Sequence, residues 1–284
     1  MKAADFNYVR PNTLMEALNL ISKADEDVAI ISGGQSLIPM MNFRLVEPST
    51  LIDISKLPEL QKIEHLGATL EIGAGLTYAE IEKSDIVNSI VPLLAYAIEF
   101  IAHSAIRNRG TIGGSVALAD PAAEIPALLI ALNATIFLQS RTGHRLISAD
   151  EFFLGTYETA LEPGEIVFKI SIPTINTSYG FYEVTRRHGD YASAGAIITL
   201  PERENTNTQG SRVVLFASTN KPERITSLEG TLNRLGQEAI PTISKAKITD
   251  SLINTKLEKD LHNSEQTKFI HSVTALKRAL EMIK

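Results

Sequence analysis

The stretch IRNRGTIGGSVALADPAAEIPALLIALNATI (residues 106–136) is the most distinctive part of the chain. Its first half is rich in glycine and hydroxyl side chains, with Thr111 and Ser115 on either side of Gly113 and Gly114. Because glycine has no Cβ atom, the backbone N–H groups of such a loop can approach an anion closely. A plain turn explains the same residues, so this loop alone does not distinguish a turn from a phosphate site.

A second small-residue segment opens the stretch ISGGQSLIPMMNFRL (residues 31–45), where serines flank Gly33 and Gly34. Taken alone, a glycine pair after a predicted strand favours a turn. Two such loops in one chain favour a diphosphate, because its two phosphate groups can be held by separate loops. We call residues 31–37 the first glycine loop and residues 110–115 the second glycine loop.

Acidic residues follow the second glycine loop in the stretch ADPAAE (residues 119–124). Asp120 and Glu124 are four residues apart, so on an incipient helix they face one way and can accept hydrogen bonds from ribose or adenine groups. For Asp120 the alternative interpretation is a helix cap behind Pro121.

The stretch TRRHGDYAS (residues 185–193) combines arginine, histidine, aspartate and tyrosine side chains. A tyrosine ring here can cover a flavin face, and the arginines can offset acidic groups. A charged sheet edge is the alternative, and His188 is typical of an exposed turn.

Other nucleotide and catalytic motifs are missing from the sequence. GAGLTY (residues 73–78) lacks the third glycine of the dinucleotide-binding motif and predicts a turn, and no P-loop is present. The six histidines show no metal-ligand spacing, and no nucleophile elbow occurs. The sequence therefore predicts no catalytic residue and no metal site within this chain.

Composition restricts the class of function. The chain has 284 residues, enough for two ordinary domains, with 44% hydrophobic and 21% charged residues. Its net charge of −6 argues against nucleic acid as a main partner. The absence of cysteine excludes disulfides and iron–sulfur ligands from this chain and fits the cytoplasm. No apolar run reaches the roughly 20 residues of a membrane span.

The first part of the chain predicts mixed helices and strands. Residues 10–24 predict an amphipathic helix with a capping box at Thr13 and Glu16. Another capping box, at Thr77 and Glu80, starts a helix after a strand and a glycine turn. Apolar runs predict further elements, among them a strand at 27–32, a helix at 123–132 and a strand at 164–173.

After residue 173 the pattern changes. INTS (residues 175–178) predicts a linker, and alternating stretches from residue 179 onward predict antiparallel strands. ERENTNTQGS (residues 202–211) predicts an exposed hairpin loop, and the last 60 or so residues predict helices. The order is a mixed α/β part of roughly 175 residues followed by an antiparallel sheet with helices on one side.

Five stretches fall in the order and spacing of one family: ISGGQSLIPMMNFRL, LIDISKLPEL, IRNRGTIGGSVALADPAAEIPALLIALNATI, GEIVFKISIP and RRHGDYA. With them the chain resembles the FAD-binding medium subunits of the molybdenum hydroxylases, of the carbon monoxide dehydrogenase and xanthine dehydrogenase types. The resemblance spans essentially the whole chain. Its most specific part is R-N-x-G-T-I-G-G followed by A-D-P-A-A-[DE].

The resemblance implies an α+β fold. Residues 1–175 would form a PCMH-type (vanillyl-alcohol-oxidase-type) FAD-binding domain of two α/β subdomains, at about 1–55 and 56–175. Residues 176–284 would form a flavoprotein C-terminal domain with an antiparallel sheet and helices.

The resemblance also implies a non-covalent FAD and the residues that contact it. Both glycine loops would hold the diphosphate, and the other residues would lie near the rest of the cofactor. Together with Asp120, the implied set is Ile31, Ser32, Gly33, Gly34, Gln35, Ser36, Leu37, Thr111, Ile112, Gly113, Gly114, Ser115, Glu124, Val167, Tyr182 and Tyr191.

This chain departs from the family pattern at three points. Gln35 stands where many members have histidine, so a flavin linked to histidine at this position is impossible. Tyr182 stands where some members have lysine. The hydroxybenzoyl-CoA reductase type carries an extra iron–sulfur cluster in this subunit, and a chain without cysteine cannot be of that type.

The resemblance implies an electron-transfer flavoprotein subunit in the cytoplasm. A small [2Fe–2S] subunit and a large molybdopterin subunit would be its partners, in a heterotrimer or its dimer, and an exposed apolar patch would receive the iron–sulfur subunit. One alternative is a stand-alone FAD-dependent oxidase or reductase of the same fold. Another is a binding module whose glycine loops are only turns.

Overall fold

The computed structural model of the chain describes residues 2–23, 27–175, 177–201 and 210–283. In chain order its strands are β1 (Asn7–Val9), β2 (Val28–Ile31), β3 (Thr50–Asp53), β4 (Ile63–Leu66), β5 (Thr69–Gly73), β6 (Thr135–Ser140), β7 (Gly143–Ser148), β8 (Phe153–Gly155), β9 (Glu158–Thr159), β10 (Ile166–Pro173), β11 (Thr177–Val184), β12 (Ala194–Pro201), β13 (Arg212–Phe216) and β14 (Glu223–Arg224).

The helices of the described residues are α1 (Leu14–Ser22), α2 (Leu37–Asn42), α3 (Tyr78–Glu82), α4 (Asp85–Ile90), α5 (Pro92–Ile98), α6 (Ser104–Arg107), α7 (Ile112–Leu118), α8 (Glu124–Ala131), α9 (Ala149–Phe152), α10 (Thr226–Leu235), α11 (Lys245–Ser251) and α12 (Glu265–Met282). Short 3₁₀ helices lie at Pro58–Leu60 and Gly236–Thr242. Within the described ranges no helix combines the length and the apolar character that a membrane crossing needs.

A small parallel sheet with strand order β1-β3-β2 forms the N-terminal part. Helix α1 covers it with Ala17, Leu18 and Ile21, which belong to a hydrophobic cluster that also takes in Leu57 and Leu60. Strand β2 ends immediately before the first glycine loop, so the loop lies at the carboxyl end of a parallel strand. Ligand-binding loops are common at this place in a sheet.

A five-stranded antiparallel sheet with strand order β4-β5-β10-β6-β7 forms the middle part. Helices α3 to α8 lie around it, and every residue of α8 is buried. We call the large hydrophobic cluster here the central cluster; its biggest fully buried side chains are Phe152, Phe153, Phe181, Phe216, Leu70, Ile72 and Ile81. Because Phe181 and Phe216 come from later strands, this core extends beyond its own sheet.

The C-terminal part is a four-stranded antiparallel sheet with strand order β11-β12-β13-β14. One face packs against α10 and α12, where Leu215, Leu232 and Leu276 belong to a separate cluster that we call the C-terminal cluster. Alternate side chains on the opposite face join the central cluster. The sheet is therefore covered on both faces.

Several predicted elements are confirmed. Residues 10–24 contain α1, and residues 123–132 contain α8. The capping box at Thr77 is complete in both directions. At α1 only half of the predicted box forms, because Thr13 accepts from the amide of Glu16 but the Glu16 carboxylate accepts from the amide of Asn12 instead of Thr13.

The antiparallel strands predicted after the change in pattern are confirmed as β11, β12 and β13. In the predicted linker at 175–178, residue 176 lies outside the described residues, and Thr177 already begins β11. The predicted hairpin loop at 202–211 lies mostly outside the described residues, since the description ends at residue 201 and resumes at residue 210.

Candidate functional site

The two glycine loops touch each other, although they are far apart in the sequence. The hydroxyl group of Thr111 donates a hydrogen bond of 3.0 Å to the hydroxyl oxygen of Ser32. A Cβ atom on Gly33 would lie only 2.2 Å from the carbonyl oxygen of Arg109 and 2.9 Å from Cα of Gly110. Glycine at position 33 is therefore required for the close approach of the two backbones.

A turn between β5 and α3 holds the second glycine loop in place. The amides of Ile112 and Gly113 donate to the carbonyl oxygens of Leu76 and Ala74, and the amide of Tyr78 donates to the carbonyl oxygen of Gly110. This turn is the stretch 73–78 that the sequence predicted as a turn. Its structural role is thus to anchor the loop through backbone hydrogen bonds.

The four glycines of the two pairs differ in packing, backbone conformation and exposure. Gly33 and Gly113 are tightly packed against backbone, and Gly34 has a positive φ of 71°. Gly114 is exposed, has no positive φ, and a Cβ atom there would meet only the Thr111 hydroxyl, at 2.9 Å. A Cβ atom on Gly114 would push against the Thr111 hydroxyl, and beyond it the described residues leave an open cradle that a longer side chain would fill.

A cluster of buried acidic side chains lies beyond the second glycine loop. Asp120, Glu124 and Glu183 are each no more than 8% exposed. We call these three residues the acidic cluster. The Tyr78 hydroxyl lies close enough to the side chain of Ser115 and to Glu124 for both to act on its pKa. Glu124 in turn interacts electrostatically with Glu183, so the cluster is linked to the loop by a chain of neighbours.

Asp120 does not cap helix α8. One of its carboxylate oxygens accepts from the amide of Ala122, and the helix begins at Glu124 with Ala123 at the N-cap position. The capping interpretation of Asp120 is therefore wrong. The other carboxylate oxygen accepts from the Tyr157 hydroxyl at 3.4 Å. Asp120 also raises the pKa of the Tyr191 hydroxyl, whose residue is 72% exposed.

Burial shifts the pKa values of this cluster. Burial raises the pKa of Glu124 to about 7, with a further contribution from Asp120, although the Glu124 backbone amide lowers it. Burial also raises the pKa of Glu183 to about 8, and the charge of Glu124 adds to the effect. Desolvation disfavours the charged form of a carboxyl group, so Glu124 and Glu183 keep their protons to a higher pH than exposed glutamates do.

The structure does not bring every predicted site residue into this region. Val167 is buried in β10, beside a bulge between Val167 and Lys169, and belongs to the central cluster. Tyr182 packs against the C-terminal cluster, on the face of β11 opposite to Glu183. Residues 31–37 are half-buried around the first glycine loop.

Glu183, Tyr78 and Tyr157 belong to the site region but were not among the residues predicted from the sequence. For Glu183 a signal was available, because side chains on a strand alternate with a period of two residues. Phe181 points inward, so the side chain two residues later points inward as well. No local pattern indicated the positions of Tyr78 and Tyr157.

The residues present fit a flavin dinucleotide, with a cradle open at Gly114 and a buried carboxyl group at Glu183 that has no hydrogen-bond partner among the described residues. No group of three or more His, Cys, Asp or Glu side chains in the described ranges is placed to hold a metal ion.

Comparison with known proteins supports this interpretation. Residues 4–175 match the family model described as FAD binding domain in molybdopterin dehydrogenase. The chain is 36% identical to the 6-hydroxypseudooxynicotine dehydrogenase complex subunit alpha of Paenarthrobacter nicotinovorans, with 94% of this chain and 98% of that chain covered. It is 35% identical to the carbon monoxide dehydrogenase medium chain of Hydrogenophaga pseudoflava, with 97% and 96% covered.

Solved structures agree over the whole length. Carbon monoxide dehydrogenase from Hydrogenophaga pseudoflava superposes with a TM-score of 0.91 at 34% identity, covering 100% of this chain and 98% of that chain. Quinoline 2-oxidoreductase from Pseudomonas putida 86 superposes with a TM-score of 0.88 at 33% identity, covering 99% and 97%. The similarity therefore includes the C-terminal sheet and helices as well as the first 175 residues.

Proposed function

The chain belongs to the FAD-binding medium subunits of the molybdenum hydroxylases, and on this premise we propose that it passes electrons from an iron–sulfur partner to an external acceptor through one bound FAD. The family makes it an oxidoreductase flavoprotein subunit with FAD as its cofactor. Bound FAD supplies the redox chemistry, because a flavin exchanges electrons singly or in pairs. The chain's own residues bind and orient it.

One observation carries the proposal for the binding site: the Ser32–Thr111 hydrogen bond joins two glycine loops whose common side is open at Gly114. The amides of Ile112, Gly113 and Gly114 already donate to other groups of the chain. The first loop can therefore hold one phosphate group with its backbone amides, and the second can hold the other with its hydroxyl groups. We assign this role to residues 31–37 and to Thr111, Ile112, Gly113, Gly114 and Ser115.

The other predicted contacts remain proposals of the same kind. The proposed FAD contacts of Asp120 and Glu124 are supported by the burial of these residues near the second glycine loop. The proposed contact of Tyr191 is supported by its exposed ring and by its interaction with Asp120. The proposed contacts of Val167 and Tyr182 are supported by the family pattern alone. We also propose that the boundary between the FAD-binding domain and the C-terminal domain falls at residues 175–176.

A pair of leucine variants tests the binding site. In Gly114→Leu the side chain fills the open side of the cradle, so we expect the purified chain to lose FAD, measured by absorbance and by acid release. Gly230→Leu is the control, because a Cβ atom on Gly230 in α10 would meet no other atom within 4 Å. Wild-type FAD content in Gly114→Leu would contradict the assignment.

We propose a small [2Fe–2S] subunit and a large molybdopterin subunit as partners, in a heterotrimer or its dimer located in the cytoplasm. The names of the relatives, which are subunits of complexes, support partners in general. Three exposed apolar side chains follow the first glycine loop, at Ile38, Phe43 and Leu45. This patch is our candidate surface for the iron–sulfur subunit.

Co-expression with the two partner chains tests this assembly. We expect Phe43→Glu to weaken the complex in size-exclusion chromatography, since a charge would be buried in an apolar contact. Leu261→Glu, at a position 98% exposed in the C-terminal part, is the control. A wild-type chain that stays monomeric in the presence of both partners would refute the assembly. Substrate turnover by the isolated chain would favour the alternative function, a stand-alone FAD-dependent oxidase or reductase.

A further inference from the structure

Glu183 is a buried side chain with an unusual environment for a carboxyl group. It lies near the end of β11 on the same face as Phe181, and only 8% of it is exposed. Neither of its carboxyl oxygens has a hydrogen-bond partner among the residues that the structure describes. Buried carboxyl groups are almost always hydrogen-bonded, because an unpaired one costs the full desolvation free energy.

The position of Glu183 connects it to the cofactor site. Strand β11 pairs at Glu183 with β12, which in turn pairs with β13 at Phe216. The residue after Phe216 donates its amide to the carbonyl oxygen of Pro121, next to Asp120. Glu183 therefore lies in the same region as the residues that follow the second glycine loop, and the charge of Glu124 acts on it.

The chemistry of the acidic cluster selects one half of the FAD molecule. The ionised diphosphate has only hydrogen-bond acceptors, so it cannot satisfy both the donor and the acceptor of a protonated carboxyl group. The flavin ring is uncharged and flat, and its polar edge carries carbonyl oxygens and an N–H group. The exposed rings of Tyr157 and Tyr191 at the open side of the cluster suit a flat ring system.

We propose that the buried carboxyl group of Glu183 is a hydrogen-bond partner of the flavin half of FAD. The proposal rests on the proposed function, because it takes FAD as the ligand. A neutral carboxyl group offers one donor and one acceptor, which a polar ring edge can satisfy together. The raised pKa of Glu183, about 8, keeps the carboxyl group in this form at neutral pH.

Titration of the full-length, FAD-free chain with FAD and with ADP tests the proposal. FAD binding is followed by flavin fluorescence and ADP binding by calorimetry, and ADP is the probe that lacks the flavin. In Glu183→Met, which keeps the side-chain length but cannot donate, we expect FAD affinity to fall about tenfold or more, as for loss of a hydrogen bond. Affinity for ADP should stay within about twofold of the wild type.

Two further variants complete the experiment. Glu183→Gln keeps one donor and one acceptor, so its FAD affinity should stay within about threefold of the wild type. Its bound flavin should still show a shifted absorption maximum, because the group that contacts the ring has changed. Glu223→Met removes a half-buried carboxylate from β14 of the same sheet and should change neither affinity.

Thermal unfolding of the FAD-free variants separates binding from folding. Removing an unpaired buried carboxyl group should leave the melting temperature of FAD-free Glu183→Met at or above that of the wild type. FAD should then raise the melting temperature of this variant less than that of the wild type, because ligand stabilisation follows affinity.

The outcomes separate the role of Glu183 from the binding of FAD by the chain. A wild-type chain that binds FAD, together with a Glu183→Met variant that binds it equally well, overturns the role of Glu183 and leaves the proposed function standing. Equal losses of FAD and ADP affinity overturn it as well, as does an absorption spectrum of bound flavin in Glu183→Gln identical to that of the wild type. A wild-type chain without affinity for FAD refutes the proposed function itself.

Discussion

At the scale of single residues, Gly33 and Gly114 belong to different glycine pairs and have different surroundings. A methyl group on Gly33 would overlap the carbonyl oxygen of Arg109, whereas one on Gly114 would push against the Thr111 hydroxyl and otherwise point into open space. Close backbone approach explains the first glycine, and access for a ligand explains the second.

This difference predicts the effect of Gly33→Ala on stability. The two glycine loops would have to separate, so we expect the free energy of unfolding to fall by about 1–3 kcal/mol. Gly230→Ala in α10 is the control and should stabilise the chain by up to about 1 kcal/mol, because alanine is the better helix former. Equal urea-unfolding midpoints for Gly33→Ala and the wild type would contradict the packing argument.

Glu183 also predicts how the stability of the FAD-free chain depends on pH. Burial raises its pKa to about 8 from the ordinary value of 4.5, so the folded chain keeps a proton that the unfolded chain releases. Its contribution to stability is complete below about pH 4.5 and is lost as the pH rises to about 8, by at most about 1.4 kcal/mol per pH unit.

Chemical unfolding at a series of pH values checks this prediction. Glu183→Gln does not titrate, so the decrease in stability with rising pH should be smaller in this variant than in the wild type. Glu124 is the titratable group whose charge contributes to the raised pKa of Glu183. Burial also raises the pKa of Glu124, which therefore contributes a decrease of the same sign in both proteins.

At the scale of elements, the contact between β11 and α12 depends on a single glycine. A Cβ atom on Gly180 would overlap the backbone carbonyl oxygen of Ala279, because the helix packs directly on the strand backbone. Both neighbouring residues on this face, Tyr182 and Val184, pack against the C-terminal cluster. The close approach sets the position of the last helix.

Gly180→Ala should therefore displace α12. We expect a loss of about 1–3 kcal/mol or more in the free energy of unfolding, and faster hydrogen exchange in α12, because backbone atoms cannot yield as a flexible side chain can. Thr274→Ala, on the exposed face of the same helix, should have little effect. Unchanged exchange rates in α12 of Gly180→Ala would argue against this account.

At the scale of the whole molecule, the C-terminal sheet is part of two cores. Phe181, Ile197, Val214 and Phe216 face the central cluster, while alternate residues of the same strands face the C-terminal cluster. Thr199 adds a hydrogen bond of 3.0 Å from its hydroxyl to the carbonyl oxygen of Ala131 in α8. The sheet thus joins the FAD-binding part to the last helices.

Phe216→Ala tests this coupling. Truncation of a fully buried phenylalanine leaves a cavity, and we expect a loss of about 3–5 kcal/mol. Because the ring lies between two layers, amides of α8 and of β12 should both exchange faster in hydrogen-exchange mass spectrometry. An effect confined to β12 would mean that the two parts are independent.

The sequence by itself determined the features that depend on neighbouring residues. The capping box at Thr77, the turn at 73–78 and the alternating strands after residue 179 are local patterns, and the structure has all three. The order of five stretches along the chain was enough to indicate the family, which the comparisons confirm.

The tertiary structure alone decided which of these features meet. Ser32 and Thr111 are 79 positions apart in the sequence, and no periodicity predicts their hydrogen bond. The loss of the Asp120 cap, the packing of Tyr182 against the C-terminal cluster and the interaction of Glu183 with Glu124 likewise follow from packing between distant elements. Local patterns reflect backbone preferences over a few residues, whereas contacts across the chain depend on how whole layers pack.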